Sequence, residues 1–150
     1  MTQQGADAND GTKIFVNLPV RDLKKSMNFF TKLGFAFNPM FTDENAACLV
    51  ISESIYAMLL VEKFFKSFIP DKEICDSRKS AEALIAISVK GRPEVDRVIK
   101  DAIAAGGLEY RQVQDYGWMY GRAFQDIDGH IWEVFHADMA AVPEEMKNKQ

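Results

Sequence analysis

The sequence predicts an α+β protein built from two β-α-β-β-β modules in tandem. Both halves of the 150-residue chain show the same order of strand-like and helix-like segments. Landmarks in the two halves keep a nearly constant offset, since Val20 matches Val89 at 69 residues and Gly34 matches Gly106 at 72 residues. Neither half is large enough to bury both faces of a sheet alone, so this internal repeat predicts two modules that pack together.

The first module is predicted over residues 13–62. Its first segment, KIFVNLPV, is rich in β-branched and apolar residues, which is typical of a strand. Asp22 then precedes a stretch with apolar residues at helical spacing, and Gly34 is suited to end that helix. Turn signals separate three further strand candidates, at residues 35–42, 46–52 and 56–62.

The second module is predicted over residues 82–137, after a connector at residues 63–81. ALIAISV forms its first strand, and Pro93 occupies a position that the first turn of a helix accepts. An apolar stripe of helical spacing runs from there to Gly106. The remaining strands are predicted at residues 108–116, 119–126 and 130–137, and the segment DIDG between the last two predicts a tight hairpin turn.

The bulk properties exclude several classes of protein. The net charge of −4 and the pI of about 5.2 disfavour a nucleic-acid-binding surface. No apolar run reaches the roughly 18 residues of a membrane span. Residues 1–12 form a polar lead-in without the apolar core of a signal peptide, and residues 138–150 form a C-terminal tail. Two cysteines, 27 residues apart, fit no metal-binding or redox spacing, so we expect reduced thiols in a cytoplasmic protein.

Three segments resemble the vicinal oxygen chelate superfamily, also called the glyoxalase/bleomycin-resistance/dioxygenase group. They are LPVRDLKKSMNFFTKLGF in the first module, AISV at the start of the second and FQDIDGHIWEVF at its end. The resemblance covers residues 13–137 as a single domain. It implies a curved mixed sheet whose strands form a cup, and a homodimer. It does not specify an activity, because this fold supports several chemistries.

The resemblance also implies four metal-ligand positions, of which only one has a suitable donor. Counting from the matching motifs places these positions at Phe15, Leu59, Leu84 and Glu133. Phenyl and isobutyl groups donate no lone pair to a metal, and one carboxylate does not hold a transition metal firmly. We therefore expect no metal cofactor. An alignment shifted along the first strand would add the amide oxygen of Asn17, which with one glutamate is still a weak site.

The two histidines do not replace the missing ligands. Alternation along the last strand places His130 and His136 on the face opposite Glu133. Surface or hairpin-end roles are therefore the favoured interpretation for both. The same alternation predicts a largely apolar inner face for the cup, which is typical of small-molecule sites but equally of a packed core.

The predicted ligand-binding residues come from this inner face and from the strand beside Glu133. They are Phe15, Asn17, Leu59, Leu84, Ser88, Tyr120, Arg122 and Phe135. The segment YGWMYG before Arg122 predicts either an aromatic wall against a planar ligand or packing at a strand edge or dimer contact.

Glu133 is the candidate catalytic residue. A carboxylate on an apolar strand face has a raised pKa unless a cation or hydrogen-bond donor pairs with it, and Arg122 or Tyr120 is the expected partner. Unpaired, Glu133 is a candidate general base or ligand anchor; paired, it is structural.

Three functions remain open after these considerations. The first is a metal-independent protein of the antibiotic-resistance type that binds a small apolar or aromatic molecule. The second is an isomerase or dioxygenase-like enzyme, either metal-dependent through a misaligned site or metal-free with Glu133 as base. The third is an interaction module with a closed cup.

Overall fold

The structure is a computed structural model that describes residues 11–149, so most of the predicted lead-in lies outside the described residues. The described part divides into two compact units, one ending at Ile74 and the other beginning at Cys75. The first unit has the β-α-β-β-β order, and the second has the same order with the first strand after its helix split into two. Each contains an open mixed sheet, which confirms the predicted α+β fold class. Within residues 11–149, no helix combines the length and apolar character that crossing a membrane requires.

The first unit contains four strands in the order β1-β4-β3-β2, with β1 parallel to β4 and the other pairs antiparallel. The strands are β1 (Ile14–Val20), β2 (Ala36–Asn38), β3 (Ala46–Val50) and β4 (Ile55–Val61). Helix α1 (Leu23–Lys32) follows β1, and the short helix α2 (Glu62–Ser67) follows β4. The Asp22 carboxylate accepts a hydrogen bond from the backbone N–H of Lys25 at 3.1 Å, which caps α1 as the sequence predicts.

The predicted strand at residues 35–42 is shorter than expected. It pairs with β3 only over Ala36–Asn38, and a 3₁₀ turn occupies Pro39–Phe41. The Asn38 side chain accepts from the backbone N–H of Met40 at 3.0 Å and so caps this turn. Pro39 has no N–H to donate to a strand partner, which is the physical reason for the early end.

One face of the first sheet and the apolar face of α1 form the core of this unit. Leu18 and Leu59 are paired in the β1–β4 register, and both are buried together with Phe29 and Phe30 of α1. Complete burial of side chains of this size contributes about 1.5–3 kcal/mol each, relative to exposure.

The second unit contains strands in the order β5-β9-β8-β6, with a further strand, β7, that also pairs with β8. These strands are β5 (Ile85–Ser88), β6 (Leu108–Glu109), β7 (Gln114–Asp115), β8 (Met119–Gln125) and β9 (Ile131–Ala137). Helix α3 (Arg92–Ala104) packs against β8 and β9, and the tail holds a short helix, α4 (Glu144–Lys147). Val95, Ile99 and Ala102 on α3 are fully buried, as the predicted apolar stripe requires.

The predicted strand at residues 108–116 is interrupted. Residues 110–113 lie opposite only 122–123 of β8, because Glu109 pairs with Phe124 and Gln114 pairs with Gly121. Two additional residues are therefore accommodated in a bulge, and the edge of the sheet is split into β6 and β7. The bulge contains Arg111.

The predicted hairpin turn between β8 and β9 is present, and hydrogen bonds to one of its own side chains stabilise it. The Asp126 carboxylate accepts from the backbone N–H groups of Asp128 (2.9 Å) and His130 (3.0 Å) and from the indole N–H of Trp132 (3.1 Å). Gly129 ends this turn with φ +94°. These contacts fix the register in which β9 leaves the turn, and thereby the face on which Glu133 lies.

Candidate ligand site beside Glu133

Glu133 lies on the sheet face of the second unit that points away from α3. The β5–β9 register pairs Ala86 with Glu133 and Ser88 with Phe135, so these four side chains share one face, which we call the Glu133 face. Ala86 and Ser88 are exposed, and the side chain of Glu133 is 24% exposed. The opposite face of β9 carries Trp132 and Val134, which are completely buried. The structure thus brings together Ser88, Glu133 and Phe135 of the predicted ligand-binding residues, and exposed Leu84 directly precedes β5.

Arg111 is the partner of Glu133. Its Nη1 atom donates to Glu133 Oε1 at 2.5 Å, and its Nη2 atom lies 3.4 Å from Gln114 Oε1. The Arg111 side chain is 28% exposed, so the pair is half-buried. Its Nε atom is buried, and within residues 11–149 no acceptor lies within hydrogen-bonding distance of it. A buried donor without an acceptor is uncommon in proteins, because it loses its hydration without compensation.

The backbone of Arg111 is also unusual. Its φ is +140°, and no other non-glycine residue in the described range has a positive φ. Residues with a Cβ rarely adopt this region, and doing so costs on the order of 1–3 kcal/mol. The bulge at residues 110–113 therefore carries two unfavourable features at one residue, a strained backbone and an unsatisfied buried donor.

The predicted pairing of Glu133 with Arg122 or Tyr120 is wrong. In the β8–β9 register Ala123 lies opposite Glu133, whereas Arg122 lies opposite Val134 and therefore points to the α3 face. There the Arg122 guanidinium forms ion pairs with Asp96, at 2.8 Å, and with Glu109. Neither Arg122 nor Tyr120 shares the Glu133 face, because strand neighbours alternate between faces.

Tyr120 belongs to the same group on the α3 face. Its hydroxyl donates to Asp96 Oδ1 at 2.5 Å. This hydrogen bond, followed by the one from Arg122, lowers the pKa of the Asp96 carboxyl. The same contact with Asp96 raises the pKa of Tyr120. The arrangement connects α3 to β8 on the side of the sheet away from Glu133.

Leu59 does not share the face of Phe15 and Asn17 in the first unit, contrary to the prediction. The β1–β4 register pairs Phe15 with Tyr56 and Asn17 with Met58, so the residue on the predicted face is Met58. Leu59 is fully buried on the opposite face. The position of the first unit that corresponds to Glu133 is therefore Met58, one residue before Leu59, and a shift of one residue moves a strand side chain to the other face.

Phe15 and Asn17 lie near the sheet surface of the first unit. The Phe15 ring, 45% exposed, stacks on the Tyr56 ring with centroids 4.8 Å apart. The exposed Asn17 side-chain amide donates to the backbone carbonyl of Phe15 at 3.2 Å. These two residues therefore form part of an exposed sheet face within their own unit.

The described residues do not fit a metal site. Within residues 11–149, no three His, Cys, Asp or Glu side chains come together as a potential metal-binding group. The implied ligand positions carry Phe15, Leu84 and, by the observed register, Met58, and the carboxylate of Glu133 already pairs with Arg111. His136 faces α3, where its Nδ1 atom lies 3.1 Å from the carbonyl oxygen of Val89. Absence of a metal cofactor stays a prediction.

The aromatic segment at residues 116–121 also faces away from Glu133. Trp118 and Tyr120 line a cavity of about 290 Å³ near the start of α3, together with Arg92 and His136. The Arg92 guanidinium lies over the Tyr120 ring at 4.8 Å and pairs with Asp115 at 2.8 Å. Tyr116 is 61% exposed. The predicted aromatic wall is therefore separate from the Glu133 face.

Sequence reasoning missed Arg111. An arginine in a predicted edge strand has no distinguishing pattern, and a positive φ at a residue other than glycine or asparagine cannot be read from composition. The interruption of the strand, which turns Arg111 towards Glu133, became visible only in the register of β6, β7 and β8.

Comparison with family models identifies one match. Residues 12–52 match the model described as "Bleomycin resistance protein-like N-terminal". This segment contains β1, α1, β2 and β3 of the first unit. Among curated proteins, none matches the chain significantly.

Solved structures share the fold over most of the chain. A hypothetical protein from S. aureus has 27% sequence identity and a TM-score of 0.70, covering 83% of this chain and 93% of its own. A glyoxalase/bleomycin resistance protein/dioxygenase family enzyme from Burkholderia phytofirmans has 16% identity and a TM-score of 0.70, covering 82% and 96%. The fosfomycin resistance protein FosX from Listeria monocytogenes has 17% identity and a TM-score of 0.59, covering 85% and 93%.

Proposed function

We propose that this chain, which shares the fold of glyoxalase/bleomycin resistance/dioxygenase proteins and matches a bleomycin-resistance-like model over residues 12–52, binds a small, largely apolar or aromatic molecule without a metal. The Glu133 face of the second unit is the proposed binding surface. Ala86, Ser88 and Phe135 share this face with Glu133, and the Arg111–Glu133 pair is its charged group. A mainly apolar surface with a single polar anchor is typical of small-molecule sites.

The observation that carries this proposal is the position of the ion pair. The side chains of Arg111 and Glu133 are 28% and 24% exposed, so water or a ligand reaches both. A core that was filled only by its own side chains would place apolar residues here, because a half-buried ion pair adds little stability. The position of the pair therefore favours a ligand-binding surface rather than a closed face with a purely structural role.

The alternative of a metal-free enzyme with Glu133 as general base has less support. A general base needs a free lone pair directed at the substrate, whereas Glu133 Oε1 accepts from Arg111 at 2.5 Å. We therefore assign Glu133 an orienting function, with Arg111 as the group that it holds.

Fluorescence titration with the neutral dye N-phenyl-1-naphthylamine tests the proposal. We expect saturable binding to the wild-type protein. The Ala86→Trp variant, which adds a bulky side chain to the Glu133 face, should lose this binding. Lys100→Trp serves as the matched control, since Lys100 is exposed on α3 and its variant should bind the dye like wild type. Absence of saturable binding, or equal binding by Ala86→Trp and wild type, would refute the proposed function.

A homodimer is part of the same proposal and is carried over from the family. Analytical ultracentrifugation tests it, because the monomer mass is 17.0 kDa and a dimer has twice that value. Sedimentation as a monomer across the whole concentration range would contradict the dimer but would leave the ligand proposal to the dye titration.

A further inference from the structure

We propose that the molecule bound at the Glu133 face carries a carboxylate group and that Arg111 selects it. This inference rests on the proposed function, since it names the chemistry of the ligand at that site. It makes Arg111 a specificity-determining residue and Glu133 the residue that positions it.

Arg111 has unused hydrogen-bonding capacity. A guanidinium has five N–H donors in a planar fork. In the described part of the chain Arg111 makes one short contact, from Nη1 to Glu133, and one long contact of 3.4 Å, from Nη2 to Gln114. Its Nε has no acceptor. The groups that lack partners here are donors, so the missing partner is an acceptor.

A carboxylate is an acceptor whose geometry matches the guanidinium group of Arg111. A carboxylate offers two oxygens in one plane, at a spacing that fits the guanidinium fork, and such contacts are shorter and stronger than neutral hydrogen bonds. Nη2 is the nitrogen with the longest existing contact, and the Arg111 side chain is 28% exposed. A ligand carboxylate can therefore approach from the open face without first breaking the contact with Glu133.

The backbone conformation of Arg111 is strained. An ion pair that served only to hold β9 against the sheet edge would not require φ +140°, since an arginine in a regular strand reaches across a sheet without strain. Strained residues of this kind persist where the surrounding structure holds a functional side chain in place. The strain and the unsatisfied donor occur at the same residue, and holding the Nη2 atom towards a ligand acceptor would account for the strained backbone.

The experiment compares two probes of nearly the same shape, 2-naphthoate and 2-naphthamide, as competitors of N-phenyl-1-naphthylamine. With wild-type protein, we expect the carboxylate to compete at a concentration about tenfold lower than the neutral amide. The Arg111→Gln variant should lose the preference, so that 2-naphthoate and 2-naphthamide compete at similar concentrations. The Arg97→Gln variant, which removes the same charge from the solvent side of α3, should keep the preference.

The Glu133→Gln variant separates an electrostatic role from a merely structural one. It removes the charge that partly neutralises Arg111 and keeps a side chain of similar size. We expect 2-naphthoate to bind more tightly and its preference over 2-naphthamide to increase. Circular dichroism of each variant confirms that it is folded before the titrations are compared.

The outcomes distinguish the two proposals. If the dye binds but wild-type protein shows no preference for the carboxylate, or if Arg111→Gln keeps that preference, this inference is wrong and the proposed function stands. If Glu133→Gln weakens the binding of 2-naphthoate, the charge of Glu133 does not compete with the probe for Arg111, which also overturns the inference. If neither the dye nor either naphthyl compound binds wild-type protein, the proposed function itself fails.

Discussion

Arg111 and Glu133 are 22 positions apart in the chain, yet Nη1 of the first lies 2.5 Å from Oε1 of the second. The contact joins the bulge at the sheet edge to β9, a strand that has neighbours on both sides. It occurs because residues 110–113 leave the ladder of β8 and turn the arginine across the face. A regular edge strand would have aligned its side chains with those of β8 instead.

The strain at Arg111 predicts a difference between two variants that both lack the guanidinium. We expect Arg111→Gly to be more stable than Arg111→Ala by about 1 kcal/mol, because only glycine adopts φ +140° without a steric cost. Urea denaturation measures the free energy of unfolding of both. An alanine variant as stable as the glycine variant would show that the backbone is not strained in solution.

The turn at Gly129 predicts a larger loss of stability when a single methyl group is added. A Cβ at this position would lie 2.7 Å from the backbone oxygen of Ser77, and φ is +94°. We expect Gly129→Ala to lower the free energy of unfolding by about 3 kcal/mol, from the clash and the φ value together. Gly117→Ala is the matched control, since φ is +80° and a Cβ meets no atom within 4 Å; it should lose about 1 kcal/mol. Equal losses in thermal or urea unfolding would argue against the contact with Ser77.

The observed position of Leu59 predicts that Leu59 and Phe15, which the sequence places on one face, contribute unequally to the stability of the fold. Leu59 is fully buried, so Leu59→Ala should destabilise the protein by about 3 kcal/mol through lost burial and a residual cavity. Phe15 is 45% exposed, so Phe15→Ala should cost about 1 kcal/mol. Chemical denaturation compares the two, and equal losses, as expected for two residues on one face, would contradict the observed register.

The contact between Tyr120 and Asp96 predicts a pH dependence on the acid side. The pKa of Asp96 is lowered in the folded state, chiefly by the Tyr120 hydroxyl and then by Arg122. Its stabilising contribution is therefore present above the ordinary Asp pKa of about 3.9 and is lost as the pH falls through the lower folded pKa.

Tyr120→Phe removes the larger cause and keeps the ring under Arg92. We expect the pKa of Asp96 to rise towards its ordinary value and the acid loss of stability attributable to this residue to become smaller. An NMR titration of the Asp96 side-chain carboxyl carbon measures the pKa. Denaturation at a series of acid pH values measures the loss of stability. Tyr116→Phe, at an exposed tyrosine of the same segment, should leave the Asp96 titration unchanged.

The residues at the implied ligand positions predict the metal content of the protein. Protein purified without chelators and then incubated with nickel, zinc or iron should retain far less than one metal per chain in mass spectrometry with inductively coupled plasma. Only Glu133 among these positions offers an oxygen or nitrogen donor, and it is paired with Arg111. Near-stoichiometric metal that disappears in Glu133→Gln would contradict this expectation and return attention to isomerase and dioxygenase substrates.

The repeated order of elements was predictable because local signals carry it. Asp22, Gly34 and Gly106 bound the helices as expected, since a capping carboxylate and a glycine with positive φ are requirements of the backbone itself. The turn at residues 126–129 was equally local. Glu133 as the residue of interest also followed from the sequence, through its place in the last predicted strand.

Which face each residue occupies, and which residue meets Glu133, were decided only by the tertiary structure. A strand side chain changes face with a shift of one residue, and that register depends on hydrogen bonds between distant strands, which placed Met58 rather than Leu59 beside Asn17. Arg111 replaced Arg122 as the partner because a bulge lengthened one strand edge relative to its neighbour. The sequence by itself determined the elements and their order; the pairing of strands determined the chemistry of the site, because the groups that meet there are separated along the chain.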